Sequence, residues 1–354
     1  MRTLNIKGKT YHLPQYFPDA TRGYVKSVDA TDLIEDSIQG VMVNTYHLME
    51  NPGLSVIQKA GGIKKYMNFE GVVASDSGGW QMFSLIHRNT QAGKISDEGV
   101  TFKIGDGKKG LVTPEDIIQA QFKIDSDIMI CLDDFSPPDA DVRRLKDSVT
   151  RTIQWAKRSK REFDKQLEIH GYTKDHRPLL LAPVQGGKNK ELRKYCADEL
   201  IKIGFDAYGF GGYVVDENGN WDMDMSDYLV NLLPKDSTKF ALGIGRISDV
   251  YKLAKMGWDI FDCTLPTRDA RHKRLYILND LKSDCTYLYM GKQKNIENFG
   301  PIDNTCDCLA CKKYTISYIN HLFSTDDPLA YRLASIHNLR SYTRLIENLQ
   351  NEEK

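Results

Sequence analysis

The sequence has no long apolar run and no net charge. No stretch of eighteen apolar residues occurs in its 354 residues, so we expect no transmembrane helix. The first residues, MRTLNIKGKTYHLP, contain no apolar segment followed by small residues, so we expect no secretory signal. Lys+Arg and Asp+Glu each number 48. Because these charges balance, a nucleic-acid partner would require basic residues concentrated on one part of the surface.

Cysteine is scarce and unevenly distributed. The chain has 7 cysteines, an odd number that does not suit a complete set of disulfides. With no export signal, this usage favours a cytoplasmic protein in a reducing compartment. Four cysteines are scattered, and the other three lie together in CDCLAC, residues 306–311.

Short apolar segments that end in polar or glycine-rich residues predict eight strands. Helical patterns lie between several of them, at 113–124, 147–166, 189–204 and 248–257. Strands that alternate with helices predict a parallel sheet covered by helices, and eight strands predict an α/β fold of the closed (β/α)8 TIM-barrel type. An open doubly wound sheet is the alternative, but no G-x-G-x-x-G follows the first strand. The predicted strands occupy residues 15–21, 40–47, 71–79, 127–134, 179–187, 206–212, 239–245 and 259–266.

The alternation stops near residue 285, which predicts a division of the chain. We expect a catalytic barrel over 1–284, a zinc-binding subdomain over 285–337, and a C-terminal helix over 338–354 that packs back on the barrel. Residues 87–110, which include GDGKKG, are expected to form an inserted hairpin or loop.

The C-x-C-x-x-C cluster predicts a metal site. Cys306, Cys308 and Cys311 supply three thiolates, and a tetrahedral zinc ion requires a fourth ligand. His321 lies on an apolar helical stripe and is expected to pack there, whereas His337 is placed to return as the fourth ligand. Three cysteines and one histidine leave no open coordination position, so the metal is expected to be structural.

Aspartates follow three of the predicted strands. They are Asp76 in ASDSGGW, Asp133 with Asp134 in CLDDF, and Asp262 in IFDCT. A single aspartate at a strand end is as often a helix cap or a turn residue as a catalyst. Since the active site of a (β/α)8 barrel lies at the carboxyl ends of its strands, three such aspartates predict a common pocket. No H-x-H pair follows an early strand, which disfavours a metal-dependent hydrolase.

Two basic segments are candidates for contacts with nucleic acid. TRDARHKR (267–274) directly follows Asp262, and this position on the active-site face favours contacts with phosphates or bases over a merely solvated loop. The basic segment 142–161 is expected to be a solvated helix face.

Several ordered motifs resemble the tRNA-guanine transglycosylase family. The resemblance extends from about residue 14 to 350, and it implies a (β/α)8 barrel with a structural zinc subdomain. The family exchanges guanine in tRNA for a 7-deazaguanine base. The matching blocks are NTYHL (44–48), SDSGGWQMFSL (75–85), GVTF (99–102), PVQGG (183–187), IGFDAYGFGG (203–212), FDCTLPTRDAR (261–271), CDCLACKKY (306–314) and HNL (337–339).

The resemblance implies a role for each matching residue. Asp262 corresponds to the nucleophile and Asp76 to the general acid/base. The expected contacts to the base are Asp133, Gln185, Gly211, Gly212, Glu217 and the apolar faces of Trp80 and Leu242. Arg268 and Arg271 correspond to residues that contact the bases beside the target, and the zinc ligands are Cys306, Cys308, Cys311 and His337. A homodimer is also implied.

The chain departs from the family pattern near the expected base pocket. Asp216 replaces a glycine in YVVDE, Phe135 replaces a smaller residue, and the segment FPDAT near the N-terminus is unusual. Bulky Phe135 with Val215 predicts a tight pocket that suits preQ1 or preQ0 better than queuine.

Three functions therefore remain open. The first is exchange of guanine at the wobble position of a U-G-U anticodon loop for a 7-deazaguanine such as preQ1, through a covalent Asp262–ribose intermediate. The second is insertion of such a base into DNA or another RNA position, which the departures suggest. The third is a non-catalytic RNA-binding subunit, which the presence of both Asp76 and Asp262 disfavours.

Overall fold

Eight parallel strands form the central sheet, and their order follows the chain around a ring. The computed structural model describes residues 2–88, 93–104, 108–212, 214–216, 219–280 and 285–352. Counted along the chain, the strands are hydrogen-bonded in the order first, eighth, seventh, sixth, fifth, fourth, third and second. A parallel bridge between Asp19 and Met42 brings the first and last strands of this order together, so the predicted TIM barrel and its eight strands are confirmed. The strands are β1 (Gln15–Pro18), β2 (Gly40–Asn44), β3 (Val72–Asp76), β4 (Ile128–Ile130), β5 (Leu179–Val184), β6 (Ala207–Phe210), β7 (Thr238–Ala241) and β8 (Ile260–Cys263).

Two phenylalanines pack among aliphatic side chains in the barrel interior. The rings of Phe17 and Phe240 meet edge to face with centroids 6.1 Å apart. A Cβ atom on Gly40 would lie 2.3 Å from the Phe17 ring, so only glycine permits this close packing of β1 on β2. The interior is therefore a packed core, and open space for a ligand is confined to the ends of the barrel.

Helices cover the outside of the barrel, and the predicted ones are present. Pro114–Ile124 begins with a capping box: the Thr113 side chain accepts a hydrogen bond from the Asp116 backbone N–H, and the Asp116 side chain accepts one from the Thr113 backbone N–H. The helices are Ala30–Glu35, Thr45–Glu50, Leu54–Lys59, Ile63–Met67, Gly79–Arg88, Pro114–Ile124, Val142–Ile169, Lys190–Ile203, Met223–Leu232, Ile247–Met256, Leu265–Arg271, Leu309–Lys313, Ile316–Ser324 and Pro328–Glu352, with a 3-10 turn at Gln293–Asn295.

An N-terminal hairpin that the sequence analysis did not predict closes one end of the barrel. Its strands are Thr3–Ile6 and Lys9–His12. Leu4 and Ile6 pack into the same buried cluster as Val72 and Ile128, which begin β3 and β4. The hairpin therefore covers the amino ends of the strands and leaves the carboxyl ends for the functional site.

The segment after the third strand contains the predicted inserted hairpin. Lys94–Ile95, Val100–Ile104 and Lys108–Val112 form a three-stranded antiparallel sheet. Residues 105–107, within GDGKKG, lie outside the described residues.

The C-terminal region contains the antiparallel pair Arg274–Leu278 and Cys285–Tyr289, and then the long helix Pro328–Glu352. The expected boundary between residues 337 and 338 falls inside this helix. Gln350 donates a hydrogen bond of 2.9 Å to the carbonyl of Pro14, just before β1, so the helix reaches back to the barrel. Among the described residues, no helix has the length and apolar character needed to cross a membrane.

Candidate active site and metal centre

Asp76 ends β3 at the open end of the barrel, where two neighbouring groups hold its carboxylate. Asn44 ends β2 in register with Asp76. The Asn44 side-chain amide donates to both Asp76 carboxylate oxygens, at 2.9 and 2.8 Å, and the backbone N–H of Gly78 donates to Oδ1. Burial raises the pKa of Asp76 to about 6, although these hydrogen bonds oppose the shift. The carboxyl can therefore exchange a proton near neutral pH.

Asp262 is the penultimate residue of β8 and faces the same opening. Its Oδ1 accepts a hydrogen bond of 2.8 Å from the backbone N–H of Gly243, which follows β7. Burial raises the pKa of Asp262 to about 7, and the negative charges of Asp76 and Asp19 raise it further. Asp262 and Asp76 thus belong to one electrostatically coupled site.

The adjacent residues Asp133 and Asp134 have different partners. Asp134 is fully buried and pairs with Arg144 and Arg151, each at 2.5 Å, on the helix Val142–Ile169. Asp133 accepts a hydrogen bond of 2.5 Å from the side-chain amide of Gln185. Burial raises the pKa of Asp133 to about 7. The charge of Asp134 is therefore balanced by two arginines within the fold, whereas Asp133 and Gln185 form a polar pair beyond the ends of β4 and β5.

A buried arginine that sequence analysis did not identify joins the ends of β5 and β6. The Arg193 guanidinium donates to the carbonyls of Val184, Gly211 (2.8 Å) and Gly187 (2.9 Å). It lies 4.5 Å from the centroid of the Phe210 ring. Arg193 thus fixes the backbone on both sides of the predicted base-contacting residues.

The predicted apolar walls lie beside these polar groups. Trp80 is 51% exposed at the start of the helix Gly79–Arg88, and its ring meets the buried ring of Phe135 edge to face at 4.3 Å. A Cβ atom on Gly212 would lie 3.6 Å from Phe135 and 3.2 Å from the Gln185 side-chain oxygen. Phe135 therefore narrows the space between Trp80 and Gly212. Leu242 is half-buried immediately after β7.

Among the described residues after β6, Asp216 and Val215 both have backbone partners. The Asp216 side chain accepts a hydrogen bond of 2.8 Å from the backbone N–H of Asn220, and Val215 bridges to Trp221. The aspartate that departs from the family pattern thus binds the backbone of Asn220. Glu217, a predicted base contact, lies outside the described residues.

The two predicted RNA-contacting arginines lie on the helix Leu265–Arg271, which follows Asp262 directly. Arg268 is half-exposed. Burial lowers the pKa of Arg271, while the negative charge of Asp19 raises it. Asp19 belongs to the unusual FPDAT segment, and the sequence analysis did not assign it to the site. Its position after β1, beside the ends of β8 and β2, becomes visible only once the barrel is closed.

The predicted metal ligands converge. One ligand atom from each of Cys306, Cys308, Cys311 and His337 lies within 4.8 Å of the others. The Nδ1 atom of His337 lies 3.3 Å from the Cys311 sulfur and 3.7 Å from the Cys308 sulfur. A tetrahedral zinc with Zn–S bonds of about 2.3 Å needs ligand atoms roughly 3.3–3.8 Å apart. The cluster therefore fits a metal ion of this size.

The tautomer of His337 also suits metal binding. Its Nε2 lies 2.6 Å from the carbonyl oxygen of Tyr276. Because a carbonyl can only accept, Nε2 carries the proton and Nδ1 is left as the ligand. His321 is not part of the cluster, as predicted, but the expectation that it packs in an apolar stripe is wrong, because its helix Ile316–Ser324 presents it to solvent.

Ion pairs hold the metal cluster against the C-terminal helix. Arg340 pairs with Asp307, inside the cysteine segment, at 2.6 Å, and Arg344 pairs with Asp303 at 3.0 Å. Since His337 belongs to the same helix, the cluster joins the cysteine loop to the part of the helix that packs on the barrel.

Comparisons with known proteins agree with this architecture. The family model described as queuine tRNA-ribosyltransferase matches residues 1–352. A protein of that name from Thermoanaerobacter pseudethanolicus is 36% identical over 95% of this chain and 85% of its own length. Those from Methylacidiphilum infernorum and Helicobacter pylori are 36% and 35% identical over 95% and 98% of this chain, and 87% and 90% of their own lengths. The chain therefore belongs to the queuine tRNA-ribosyltransferase family, a family of pentosyltransferases.

Proposed function

We propose that this protein exchanges guanine at the wobble position of a U-G-U anticodon loop for a 7-deazaguanine such as preQ1. The observation that carries the proposal is the pair Asp76 and Asp262: both end barrel strands at the same opening, and the charge of one raises the pKa of the other. Family membership supports tRNA and a guanine-type base as the substrates.

The chemistry of base exchange assigns a different task to each carboxyl group. Guanine leaves the anomeric carbon through a cation-like transition state, and a carboxylate on the opposite face can capture that carbon. Asp262 takes this role as nucleophile, which requires its ionised form. Asp76 delivers a proton to the departing guanine and removes one from the incoming base. Two displacements retain the configuration, and one N-glycosidic bond replaces another, so no ATP is consumed.

The base is held by the groups around Asp133. The Asp133 carboxylate accepts from the amino edge of the base, and Gln185 with the Gly211–Gly212 backbone contacts its carbonyl. Trp80 and Leu242 cover the two faces, and Glu217 completes the loop over the pocket. The target nucleotide must leave the base stack to enter this space. The contact between Phe135 and Trp80 supports a small base, preQ1 or preQ0, over queuine.

We propose that Zn²⁺ occupies the Cys306, Cys308, Cys311 and His337 cluster and holds the 285–337 subdomain in place beside the 1–284 barrel, with the last helix as its support. Four protein ligands leave no position for substrate, so the ion supplies folding energy and takes no part in the reaction. A homodimer and a cytoplasmic location are also proposed, on the family resemblance and the cysteine usage respectively.

One experiment separates the candidate functions. The protein is incubated with labelled guanine and, in parallel, tRNA with a U-G-U anticodon, tRNA with G34 replaced by A, and duplex DNA. Label in the first tRNA alone, lost in Asp262→Asn, supports the proposal. Label that enters DNA, or enters the second tRNA equally, supports the alternative of another polynucleotide position. RNA binding with no incorporation into any polymer supports a non-catalytic subunit. Neither of these last two results is compatible with the proposal.

A further inference from the structure

Two neighbouring tyrosines with a cation at each end form a continuous line of contacts that leads away from the proposed active site. Arg274 forms an ion pair of 2.6 Å with Asp269, on the helix that follows Asp262. The Arg274 guanidinium lies over the ring of Tyr287, 4.9 Å from its centroid. The rings of Tyr287 and Tyr289 are 6.4 Å apart, and the ammonium of Lys292 lies 5.0 Å over Tyr289. We call Arg274, Tyr287, Tyr289 and Lys292 the basic–aromatic strip.

The register of the hairpin fixes the positions of the two tyrosine rings in the strip. Arg274 pairs with Tyr289, and Tyr276 pairs with Tyr287, across the two antiparallel strands. Tyr276 is buried, and its ring meets Tyr287 edge to face at 5.7 Å. Tyr287 and Tyr289 nevertheless remain 45% and 42% exposed. Two large aromatic rings are therefore held side by side at the surface and remain available for contact.

Positive charge remains in excess along the strip and Arg268, because one buried carboxylate, Asp269, stands against the three cations Arg268, Arg274 and Lys292. Asp269 is buried, and the Tyr276 hydroxyl and Arg274 both contact its Oδ2, at 2.5 and 2.6 Å. Half-exposed Arg268 directly precedes Asp269 on the same helix, and its Nε lies 3.8 Å from the Asp269 carboxylate. Lys292 adds a cation at the far end. An anionic chain that leaves the catalytic opening beside Arg268 would meet Arg274, the two rings and Lys292 in turn.

We propose that the basic–aromatic strip binds nucleotides of the RNA substrate that flank the exchanged base. Their bases stack on Tyr287 and Tyr289, and their phosphates contact Arg274 and Lys292. Aromatic rings flanked by cations bind single-stranded nucleotides because every base offers a π face and every linkage an anionic phosphate. A protein partner would favour a surface whose centre is depleted of charge. The inference rests on the proposed function for the identity of the RNA.

Binding and exchange are measured separately to test the strip. A labelled 17-nucleotide U-G-U anticodon stem–loop is titrated into wild type, Tyr289→Ala, Tyr287→Ala/Tyr289→Ala, Tyr289→Phe and Tyr195→Ala. Tyr195 is 52% exposed on the helix Lys190–Ile203 and serves as the matched control. Loss of one stacked base raises the Kd about 10-fold, and the double variant loses more. Tyr289→Phe and Tyr195→Ala keep wild-type affinity. The KM for free guanine stays unchanged in all of them, and Lys292→Ala reduces the salt dependence of binding by about one phosphate contact.

The outcomes distinguish this inference from the proposed function. If wild type binds the RNA and exchanges guanine, and the folded double variant binds the RNA equally well, the proposed role of the strip is wrong and the proposed function stands. If wild type binds the RNA, the tyrosine variants bind it more weakly, and no base is exchanged, the proposed function is wrong and the proposed role of the strip stands. If Tyr195→Ala weakens RNA binding as much as Tyr289→Ala does, the effect is a general one of removing a surface tyrosine, and the proposed role of the strip is also wrong. Tyr287 contacts the buried ring of Tyr276, whereas Tyr289 lies farther along the strip, so the single variant Tyr289→Ala retains the test if the double variant fails to fold.

Discussion

Arg193 donates a hydrogen bond of 2.8 Å to the carbonyl of Gly211 and a second to the carbonyl of Val184. One buried guanidinium therefore joins the ends of two neighbouring strands, directly beside Gln185 and Gly212. Cys196, one turn farther along the same helix, accepts the backbone N–H of Gln185 at 3.4 Å. The first turns of the helix Lys190–Ile203 thus position the groups that are proposed to contact the base, although no residue of this helix is proposed to contact the reacting atoms.

Arg193→Met is expected to raise the KM for guanine about 10- to 100-fold, because loss of charged hydrogen bonds releases the backbone that presents Gln185 and Gly211. The kcat at saturating base should change only a few-fold, and Arg193→Lys should recover part of the affinity. Steady-state exchange kinetics give this separation of KM from kcat.

Arg177 provides the control for Arg193. It pairs with Asp206 at 2.6 Å and ties the amino ends of the same two strands. Arg177→Met should lower the melting temperature without raising the KM for guanine. Equal KM changes in the two variants would contradict a positioning role for Arg193.

The pH dependence of exchange should be bell-shaped. Burial raises the pKa of Asp76 to about 6 and that of Asp262 to about 7. As pH rises, the coupled pair loses its first proton near 6 and its second near 7. Because the pKa of Asp262 is the higher, most of the singly protonated pair carries its proton on Asp262. The reactive form, with Asp262 ionised and Asp76 protonated, is the minor one, and its population still peaks between the two pKa values. We expect kcat/KM for tRNA to fall below about pH 6 and above about pH 7.

Asp133 also has a pKa raised to about 7 and must be separated from that pair. Asp133→Asn should lower kcat/KM throughout and retain both limbs of the profile. Because Asp133 must be ionised to accept from the base, loss of the acidic limb in this variant would assign that limb to base recognition instead.

The metal cluster should contribute to folding and not to the reaction. Cys308→Ala removes one of four ligands, so metal content and stability should fall together, by several kcal/mol in the free energy of unfolding. Elemental analysis and thermal unfolding measure the two losses. Cys285→Ala, outside the cluster, is the control and should retain the metal. A Cys308→Ala protein that folds fully but exchanges no base would contradict the structural role.

Phe135 should set the size limit of the base pocket. Wild type is expected to use preQ1 with a higher kcat/KM than queuine, because the Phe135 ring fills the space beside Trp80 and Gly212. Phe135→Ala should reduce this preference about 10-fold, measured by competition between the two bases. An unchanged ratio would place the size limit elsewhere.

The barrel was predictable because each strand is a short buried run that ends in polar residues, and each helix has an apolar stripe. The zinc ligands were predictable because three cysteines within six residues leave few interpretations. Arg193 was not predictable: in sequence it is one of many basic residues on an amphipathic helix, and only the closed barrel shows that it faces three carbonyls. The same holds for Asp19 and for the alignment of Arg274 with Tyr287, which depend on strand register. His321 was misassigned because helical spacing alone did not tell which face packs.

The central claim is covalent capture of the ribose by Asp262, and trapping that species tests it most directly. Wild type, Asp262→Asn and Asp76→Asn are mixed with end-labelled U-G-U stem–loop RNA, denatured in acid and resolved on a denaturing gel, and any adduct is digested and mapped by mass spectrometry. We predict a protein–RNA adduct on Asp262 in wild type that added guanine discharges, and no adduct in Asp262→Asn. An adduct that persists in Asp262→Asn, or that maps to Asp76, would contradict the account.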